Sequence, residues 1–298
     1  MADCLFKEAL FWCSTGNENS LEVKCNLCPW NCTIKEGSVG FCKVRKNIKG
    51  KLYSLVYGSP VALNVDPIEK KPLAMFMPRT WTFSIGTYGC NFDCSFCQNF
   101  DISKNVPEIK KPSLEIITPE VIIKKAFETG CKSIAFTYNE PTVWIEYAVD
   151  IAKEARKHNI PLVLVSNGYI EKEAREHFYP FIDAANIDVK GFSEEFYRSM
   201  TKGRLQPVLD SVEYLFQLGK HVEITNLIIP GKNDSEEMIC KFLDWIESNL
   251  SKTVPIHFSA FFPTYKYFDS QKTPPETLYR LKRYANSRGF ENMFLGNI

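Results

Sequence analysis

Three cysteines stand at CxxxCxxC spacing in the segment GTYGCNFDCSFCQNFDI, namely Cys90, Cys94 and Cys97. Thiolates are the usual protein ligands of iron–sulfur clusters, and three of them can hold three irons of a cubane [4Fe–4S] cluster. The fourth iron then has no protein ligand, and an open metal position is where chemistry is expected. The alternative is a tetrahedral zinc site, but zinc ligands usually come as CxxC pairs from two separate knuckles. The spacing therefore favours a catalytic iron–sulfur cluster.

A second group of cysteines lies near the N-terminus, in the segment CNLCPWNCTIKEGSVGFCKVR, and comprises Cys25, Cys28, Cys32 and Cys42. Four thiolates complete a tetrahedral shell, so we expect one metal centre without an open position. Structural zinc takes this form, and so does a fully ligated iron–sulfur cluster; the residues leave the two open. We expect the centre to support folding or to relay electrons. Cys4 and Cys13 are expected to be free thiols.

The composition is that of an ordinary globular chain. Of its 298 residues, 45% are hydrophobic and 24% are charged, which is enough for one sizeable core and a small appendage. The net charge of +1 gives no argument for binding nucleic acid or a membrane. The first residues contain no apolar run typical of a secretory signal. Seven of the eleven cysteines fall in two metal-like clusters, which fits a reducing compartment better than a disulfide scaffold. We therefore expect a cytoplasmic protein.

Short apolar strands alternate with amphipathic helices after residue 78, which is typical of βα units around a parallel sheet. The predicted strands are Thr82–Ile85, Ser133–Phe136, Pro161–Val165, Ala185–Val189, Val222–Ile229 and Pro255–Phe261. The predicted helices are Pro119–Glu128, Thr142–His158, Glu171–Phe178, Leu205–Leu218, Ser235–Leu250 and Pro275–Arg288. The chain is predicted to divide into a cysteine-rich segment with a Pro-punctuated connector (residues 1–78) and a core domain (residues 79–298).

Polar side chains follow three successive predicted strands, where parallel barrels place their catalytic groups. They are Asn139 and Glu140, Ser166 and Asn167, and Asp188 and Lys190. Glu140 can accept hydrogen bonds from an amine, or it can cap the helix that follows. Ser166 and Asn167 suit hydroxyl and carboxylate contacts, or they simply form a turn. Asp188 and Lys190 point the same way and can also be a structural ion pair. His257, on the sixth strand, is interpreted first as a satisfied core residue, and contact with a substrate is the alternative, because it lies among aromatic residues near the expected active site.

The cysteine triad and the Asn-Glu-Pro sequence after the second strand resemble those of the radical S-adenosylmethionine (SAM) superfamily. The resemblance implies an α/β fold, a partial (β/α)6 TIM-like barrel of the radical SAM type, with a small N-terminal cysteine-rich segment. It also implies that SAM chelates the open iron and is cleaved reductively to methionine and a 5′-deoxyadenosyl radical. Asn139 and Glu140 occupy the place of the motif that binds the SAM ammonium group. Asp188 and Lys190 resemble an Asp-x-Lys pair that glycyl-radical-enzyme activases carry near the methionyl part of SAM.

Further segments, among them DPIEKKPL, FTYNEPTVWIEYA, NIDVKGF and NLIIPGKND, look like those of the radical SAM component of the AmmeMemoRadiSam system. That component is related to pyruvate formate-lyase activating enzymes. The resemblance implies a protein or peptide among the candidate substrates, Memo-like or AMMECR-type partner proteins, and an electron donor such as flavodoxin or ferredoxin. The sequence departs from the family at Ala74-Met75-Phe76, where a His is common, and it ends at Ile298, where many members continue into a tail with a CxxC pair.

Three functions remain at this stage. The first is hydrogen abstraction from an unidentified substrate by a radical SAM enzyme. The second is activation of a glycyl-radical enzyme, which requires a large partner that nothing in the sequence identifies. The third is a non-catalytic iron–sulfur electron carrier. The polar strand ends argue against the third function, because an electron carrier needs no SAM pocket.

Overall fold

The fold was analysed in a computed structural model that describes residues 6–16, 21–113 and 115–298, so Cys4 lies outside the described residues. Two small antiparallel sheets come first, with strand orders β1-β6-β5 and β2-β3-β4. Their strands are β1 (Lys7–Glu8), β2 (Trp12–Ser14), β3 (Val23–Cys25), β4 (Thr33–Ile34), β5 (Arg45–Ile48) and β6 (Lys51–Ser54). The N-terminal cysteines lie on these sheets and their connections: Cys25 ends β3, and its N–H donates to the carbonyl of Cys32 at 2.9 Å.

An eight-stranded sheet forms the main domain. Its strands are β7 (Ala62–Pro67), β8 (Trp81–Gly86), β9 (Ser133–Phe136), β10 (Leu162–Ser166), β11 (Ala184–Asp188), β12 (His221–Ile228), β13 (Ile256–Ala260) and β14 (Met293–Gly296). They pair in chain order, so β7 and β14 are the two edges. Strands β8 to β14 are parallel, and β7 is antiparallel to β8. The predicted α/β fold with a parallel sheet is confirmed.

The sheet contains two strands that the sequence did not reveal. Strand β14 is a seventh parallel strand of four residues. Strand β7 falls inside the predicted connector, because it is largely exposed and its one buried residue, Asp66, is charged. It belongs to the main sheet, and the division at residue 78 stays a prediction.

The helices follow the strands and cover the outer face of the sheet. They are α1 (Phe100–Ser103), α2 (Pro119–Glu128), α3 (Ile145–Lys157), α4 (Lys172–Phe178), α5 (Glu194–Phe196), α6 (Gln206–Gln217), α7 (Glu236–Asn249) and α8 (Pro275–Ser287). Pro119 and Pro275 start α2 and α8, where a missing N–H costs nothing. Ser235 caps α7 by accepting a hydrogen bond from Met238 N at 3.2 Å. None of the helices in the described part of the chain is long and apolar enough to cross a bilayer.

A chain segment between β7 and β8, residues 68–76, fills the concave side of the sheet, and we call it the floor segment. Ile68 and Leu73 are fully buried and pack with Ala135, Val163 and Ala184, which come from β9, β10 and β11. Apolar side chains of three neighbouring strands thus converge on one segment. The sheet therefore curves around the floor segment, as the wall of an incomplete barrel does.

Glu223, on β12, fixes the floor segment from the other side. Its buried carboxylate accepts hydrogen bonds from the backbone N–H groups of Ala74 and Met75, both at 2.9 Å. The Nε2 atoms of His221 and His257 lie 2.8 and 2.6 Å from the same carboxylate. Burial alone would raise the pKa of Glu223, but these four hydrogen bonds lower it to about 2. His257 is thus a satisfied core residue in this structure, as interpreted.

Replacing Glu223 by Gln should destabilise the protein on the order of 3 kcal/mol at pH 7, because a carboxyl whose pKa falls from 4.5 to about 2 on folding contributes that much. The contribution is complete above the unfolded value of about 4.5 and is lost as the pH falls towards 2. We expect the difference in Tm between the wild type and Glu223→Gln, followed by circular dichroism, to shrink below pH 4.5. His221→Gln keeps the carboxylate and should cost less. A difference in Tm that is independent of pH would contradict this account.

Candidate functional site

A cavity of about 530 Å³ opens at the carboxyl ends of the parallel strands. All the residues that the sequence singled out there line it: Cys90, Cys94, Cys97, Asn139, Glu140, Ser166, Asn167, Asp188 and Lys190. They come from four separate connections of the chain, and the parallel order of the strands brings these connections to one end. The structure therefore brings the predicted residues together in one cavity.

The three cysteines lie on the loop after β8 (residues 87–99), which we call the cysteine loop. Cys94 is buried and the other two are partly buried. Burial raises the pKa of Cys94 to about 12, and the nearby ammonium group of Lys190 opposes that rise. Burial also raises the pKa of Cys90, against the opposing charge of Lys104. Two cations thus stand where metal-bound thiolates would carry negative charge.

The donor set of the cavity fits an iron–sulfur cluster with one open iron. The described residues of the lining include three thiols and no other cysteine. No three or more His, Cys, Asp or Glu side chains in the described ranges surround a single ion position. A cubane cluster does not require such convergence, because each thiolate binds a different iron. Whether the site fits a cluster is therefore judged by the type of its donors and by the charges beside them. Three thiols with two neighbouring cations fit an iron–sulfur cluster.

Asn139 holds the cysteine loop in place. Its Nδ2 donates to the carbonyl oxygens of Gly89 at 2.8 Å and Tyr88 at 3.2 Å. Its Oδ1 accepts from the backbone N–H of Thr87 and from the indole N–H of Trp144, both at 3.2 Å. The amide is thus occupied by protein groups on both of its ends. This positioning role could not be read from the sequence, because the partners of Asn139 in the cysteine loop are about fifty residues away.

Glu140 is buried and accepts four hydrogen bonds. The backbone N–H and the hydroxyl of Thr142 donate to Oε1 at 2.9 and 2.7 Å, which makes Glu140 the cap of a short 3-10 turn, Pro141–Trp144. Ser166 Oγ also donates to Oε1 and Asn167 N donates to Oε2, both at 2.8 Å. Burial raises the pKa of Glu140, opposed by these donors. The capping interpretation is therefore correct, and the carboxylate also joins two strand ends on the cavity wall.

Asn167 connects the end of β10 to the cysteine loop. Its Nδ2 donates to Asn91 Oδ1 at 2.9 Å and lies 3.8 Å from the sulfur of Cys90. Asn91 is fully buried and donates to the carbonyl of Tyr169 at 2.6 Å. Gly168, with φ of +67°, makes the turn that lets these groups meet. The predicted turn is present, and its side chains are aimed at the cysteine loop.

Asp188 and Lys190 form an ion pair of 3.1 Å at the end of β11. Both side chains line the cavity and are largely buried, with exposed fractions of 30% and 15%. Burial would lower the pKa of Lys190, but the charges of Asp188 and Cys94 raise it above its ordinary value. The structural interpretation, an ion pair, is thus present, and the pair also presents a charged surface beside the thiols.

The cavity wall also contains residues that the sequence analysis missed. Lys70 and Lys71 enter it from the floor segment, and Asn186, Thr225 and Tyr138 also line it. Tyr138 has a φ of +71°, which is unusual for a bulky side chain and marks a constrained position. The two lysines could have been suspected from the DPIEKKPL segment, but its prolines made it look like a connector.

Comparison with known proteins gives one consistent family. The sequence model of the radical SAM superfamily matches residues 84–246. An uncharacterized protein of Methanocaldococcus jannaschii is 40% identical over 98% of this chain and 85% of its own length. The pyruvate formate-lyase-activating enzyme of Clostridium pasteurianum is 23% identical over 57% of this chain and 72% of its own length.

Solved structures share the fold. Streptococcus suis SuiB bound to S-adenosylmethionine superposes with a TM-score of 0.54 and 16% identity over 71% of this chain. The complex of SuiB with its precursor peptide SuiA also gives a TM-score of 0.54, with 15% identity over 70% of this chain. This chain spans about half of the length of SuiB, with 48% and 47% covered in the two structures. The family match over more than half of the sequence, together with the shared fold, shows that this chain belongs to the radical SAM superfamily.

Proposed function

We propose that this protein is a radical SAM enzyme that abstracts a hydrogen atom from a protein or peptide substrate. Membership of the family implies a [4Fe–4S] cluster and SAM, and Cys90, Cys94 and Cys97 are the residues that would hold the cluster. When bound and reduced by an external donor, such a cluster would supply one electron for the cleavage of SAM to methionine and a 5′-deoxyadenosyl radical. The observation that supports this function best is that three thiols and six polar strand-end residues line one cavity.

The polar residues have separate tasks in this proposal. Glu140 is the candidate partner of the SAM ammonium group, because Oε2 accepts only one hydrogen bond from the described residues and the carboxylate lines the cavity. Ser166 and Asn167 are placed to contact the ribose hydroxyls or the carboxylate of SAM. Asp188 and Lys190 provide one charge of each sign, which suits the zwitterionic methionyl part of SAM. Asn139 acts indirectly, by holding the cysteine loop.

A second candidate function is activation of a glycyl-radical enzyme. It is supported by the pyruvate formate-lyase-activating enzyme and by a putative glycyl-radical enzyme activating enzyme of Methanocaldococcus jannaschii, which is 28% identical over 53% of this chain and 60% of its own length. Both functions require a reductant, for which a cytoplasmic flavodoxin or ferredoxin is the candidate. Memo-like or AMMECR-type proteins are the candidate partners that follow from the resemblance to the AmmeMemoRadiSam system.

The central prediction concerns the cysteine triad. Replacing Cys90, Cys94 and Cys97 together by Ala should abolish the formation of 5′-deoxyadenosine, because it removes every protein ligand of the cluster. The measurement is anaerobic incubation with SAM and dithionite, followed by chromatography. Cys131→Ala, which changes a buried cysteine outside the cavity, is the matched control and should retain activity. A triple variant that still produces 5′-deoxyadenosine would show that the assignment is wrong.

The second prediction concerns Glu140. Glu140→Ala should weaken SAM binding roughly tenfold to a hundredfold, because a charge-assisted hydrogen bond contributes about 1.5–3 kcal/mol. Thr142→Val removes one donor to Glu140 but keeps the carboxylate, so it should change SAM affinity by no more than about threefold. Iron content, measured in parallel, should be the same in both variants. Unchanged SAM affinity in Glu140→Ala would leave Glu140 as a helix cap alone.

We also propose that Cys25, Cys28, Cys32 and Cys42 hold a second metal centre. Cys25, Cys28 and Cys42 are buried, and Cys32 is partly buried. Burial raises the pKa of Cys42 to about 11, and the neighbouring thiols Cys25 and Cys32 contribute to that rise, which indicates that the sulfurs lie near one another. Four thiolates complete a closed shell for zinc or for an iron–sulfur cluster.

Contacts between the cysteine loops favour an iron–sulfur cluster that relays electrons over a structural zinc. A Cβ added at Gly89, the residue before Cys90, would lie 2.6 Å from the carbonyl oxygen of Cys42. The indole N–H of Trp30 donates to the carbonyl of Asn91 at 2.7 Å. Direct contacts thus hold the two cysteine groups close together, and a short separation is what an electron relay requires and a purely structural knuckle does not.

Metal analysis of the Cys90/Cys94/Cys97 triple variant tests the second centre. About four irons remaining per chain would indicate a second cubane cluster, whereas about one zinc and no iron would indicate a structural knuckle and contradict the relay. Absence of both metals would show that no second centre exists. If iron remains, Cys28→Ala in the otherwise native chain should slow turnover while SAM affinity stays within about threefold.

A further inference from the structure

The floor segment carries a buried cation that the proposed SAM site does not use. Lys71 has an exposed side-chain fraction of only 2%, yet it lines the cavity that contains the three thiols. Its ammonium nitrogen lies 2.7 Å from Asp66 Oδ2 and 4.3 Å from the centre of the Tyr138 ring. In the described part of the chain, Asp66 is the one acceptor of this ammonium group, which has three N–H donors. Lys71 therefore has capacity for a further acceptor.

The local charges do not cancel. Asp66 also accepts a hydrogen bond from Lys70 Nζ at 2.7 Å and another from the hydroxyl of Tyr138. One carboxylate is thus shared by two ammonium groups, which leaves a charge of +1 when Asp66 (−1), Lys70 (+1) and Lys71 (+1) are added. Lys70 is 63% exposed, so solvent and ions screen its charge, whereas Lys71 is buried. An anion that enters the cavity would meet this net positive charge beside Lys71.

The backbone around Lys71 is held in place before any ligand arrives. The carbonyl of Pro72 accepts a hydrogen bond from Asn186 Nδ2 at 2.7 Å. The Glu223 carboxylate accepts hydrogen bonds from the backbone N–H groups of Ala74 and Met75. On the other side, the carbonyl of Tyr138 accepts from Asn99 Nδ2 at 2.6 Å. Lys71 is therefore a preorganised binding group, which reduces the entropy cost of binding.

We propose that Lys71 binds a carboxylate group of the substrate, and that the enzyme thus selects substrates which carry an acidic group near the reacting carbon. This inference rests on the proposed function, because it assigns a ligand to the same cavity. The candidate SAM residues lie at the ends of β9, β10 and β11, whereas Lys71 enters from the segment between β7 and β8. The Lys71 ammonium group pairs with Asp66 on β7, which is an edge strand of the sheet.

The test uses acetate as the probe carboxylate. The holoenzyme is saturated with SAM under anaerobic conditions without a reductant, so that the SAM site is filled and no turnover occurs. Binding of radiolabelled acetate is then measured by equilibrium dialysis at low ionic strength. We expect the wild type to bind acetate at least tenfold more tightly than acetamide, which has the same shape but no charge. Lys71→Met should weaken acetate binding about tenfold to a hundredfold, the range expected for one charge-assisted hydrogen bond.

Lys220→Met is the control, because the Lys220 ammonium group donates to the carbonyl oxygen of Pro180 and Lys220 is not part of the cavity lining. It should weaken acetate binding no more than about threefold. Equal binding of acetate and acetamide to the wild type would overturn the proposal, and this comparison holds even if Lys71→Met fails to fold. Acetate binding that is unchanged in Lys71→Met, or that is found only in a parallel sample without SAM, would also overturn it. Because no reductant is present, each of these results is independent of whether SAM is cleaved.

Discussion

The cavity depends on hydrogen bonds that join the ends of neighbouring strands into one rim. The Asn139 amide bonds to the backbone of the cysteine loop, and the Glu140 carboxylate bonds to Ser166 and Asn167. Asn167 in turn reaches Asn91 and approaches the sulfur of Cys90. The cysteine loop and two strand ends therefore cannot move independently. Most of these links are made by neutral amides and hydroxyls, whose strength changes little when the charge of a bound group changes.

A second set of contacts supports the rim from within the barrel. Glu223 lies on the same face of β12 as Thr225 and Leu227, which line the cavity, but nearer the amino end of the strand. An isolated buried carboxylate would be costly, so its four partners are what make this position tolerable. Two of the partners belong to the floor segment. The Glu223 carboxylate thus fixes the segment that presents Lys71 to the cavity. The shape of the cavity therefore depends on a charged group that lies beneath it.

The sequence predicted the periodic parts of the fold well. Each of the six predicted strands ends within one residue of its position in the structure, because apolar runs bounded by turn residues are a local signal. The start of α3 was placed three residues too early, since a 3-10 turn after Glu140 precedes it. Candidate residues at strand ends were found because a parallel sheet gathers those ends. The floor segment was missed for the opposite reason: its contacts with Glu223 and Asn186 span more than a hundred residues, and no local pattern encodes them.

The N-terminal cysteine group is fixed to the barrel by interactions that are independent of any metal. Arg45 and Glu146 form a fully buried ion pair of 2.8 Å, which links β5 to α3. Removing both charges from water is expensive, and such pairs often contribute little net stability. The geometry of the Arg45–Glu146 pair is nevertheless specific, because Glu146 also accepts a hydrogen bond from Leu10 N at 2.8 Å. Together with the contact between Gly89 and Cys42, this pair sets the position of the second cysteine group relative to the first. The distance between the second cysteine group and the cavity is therefore set by the folded chain. A metal centre bound by that group would lie at this distance from the cavity.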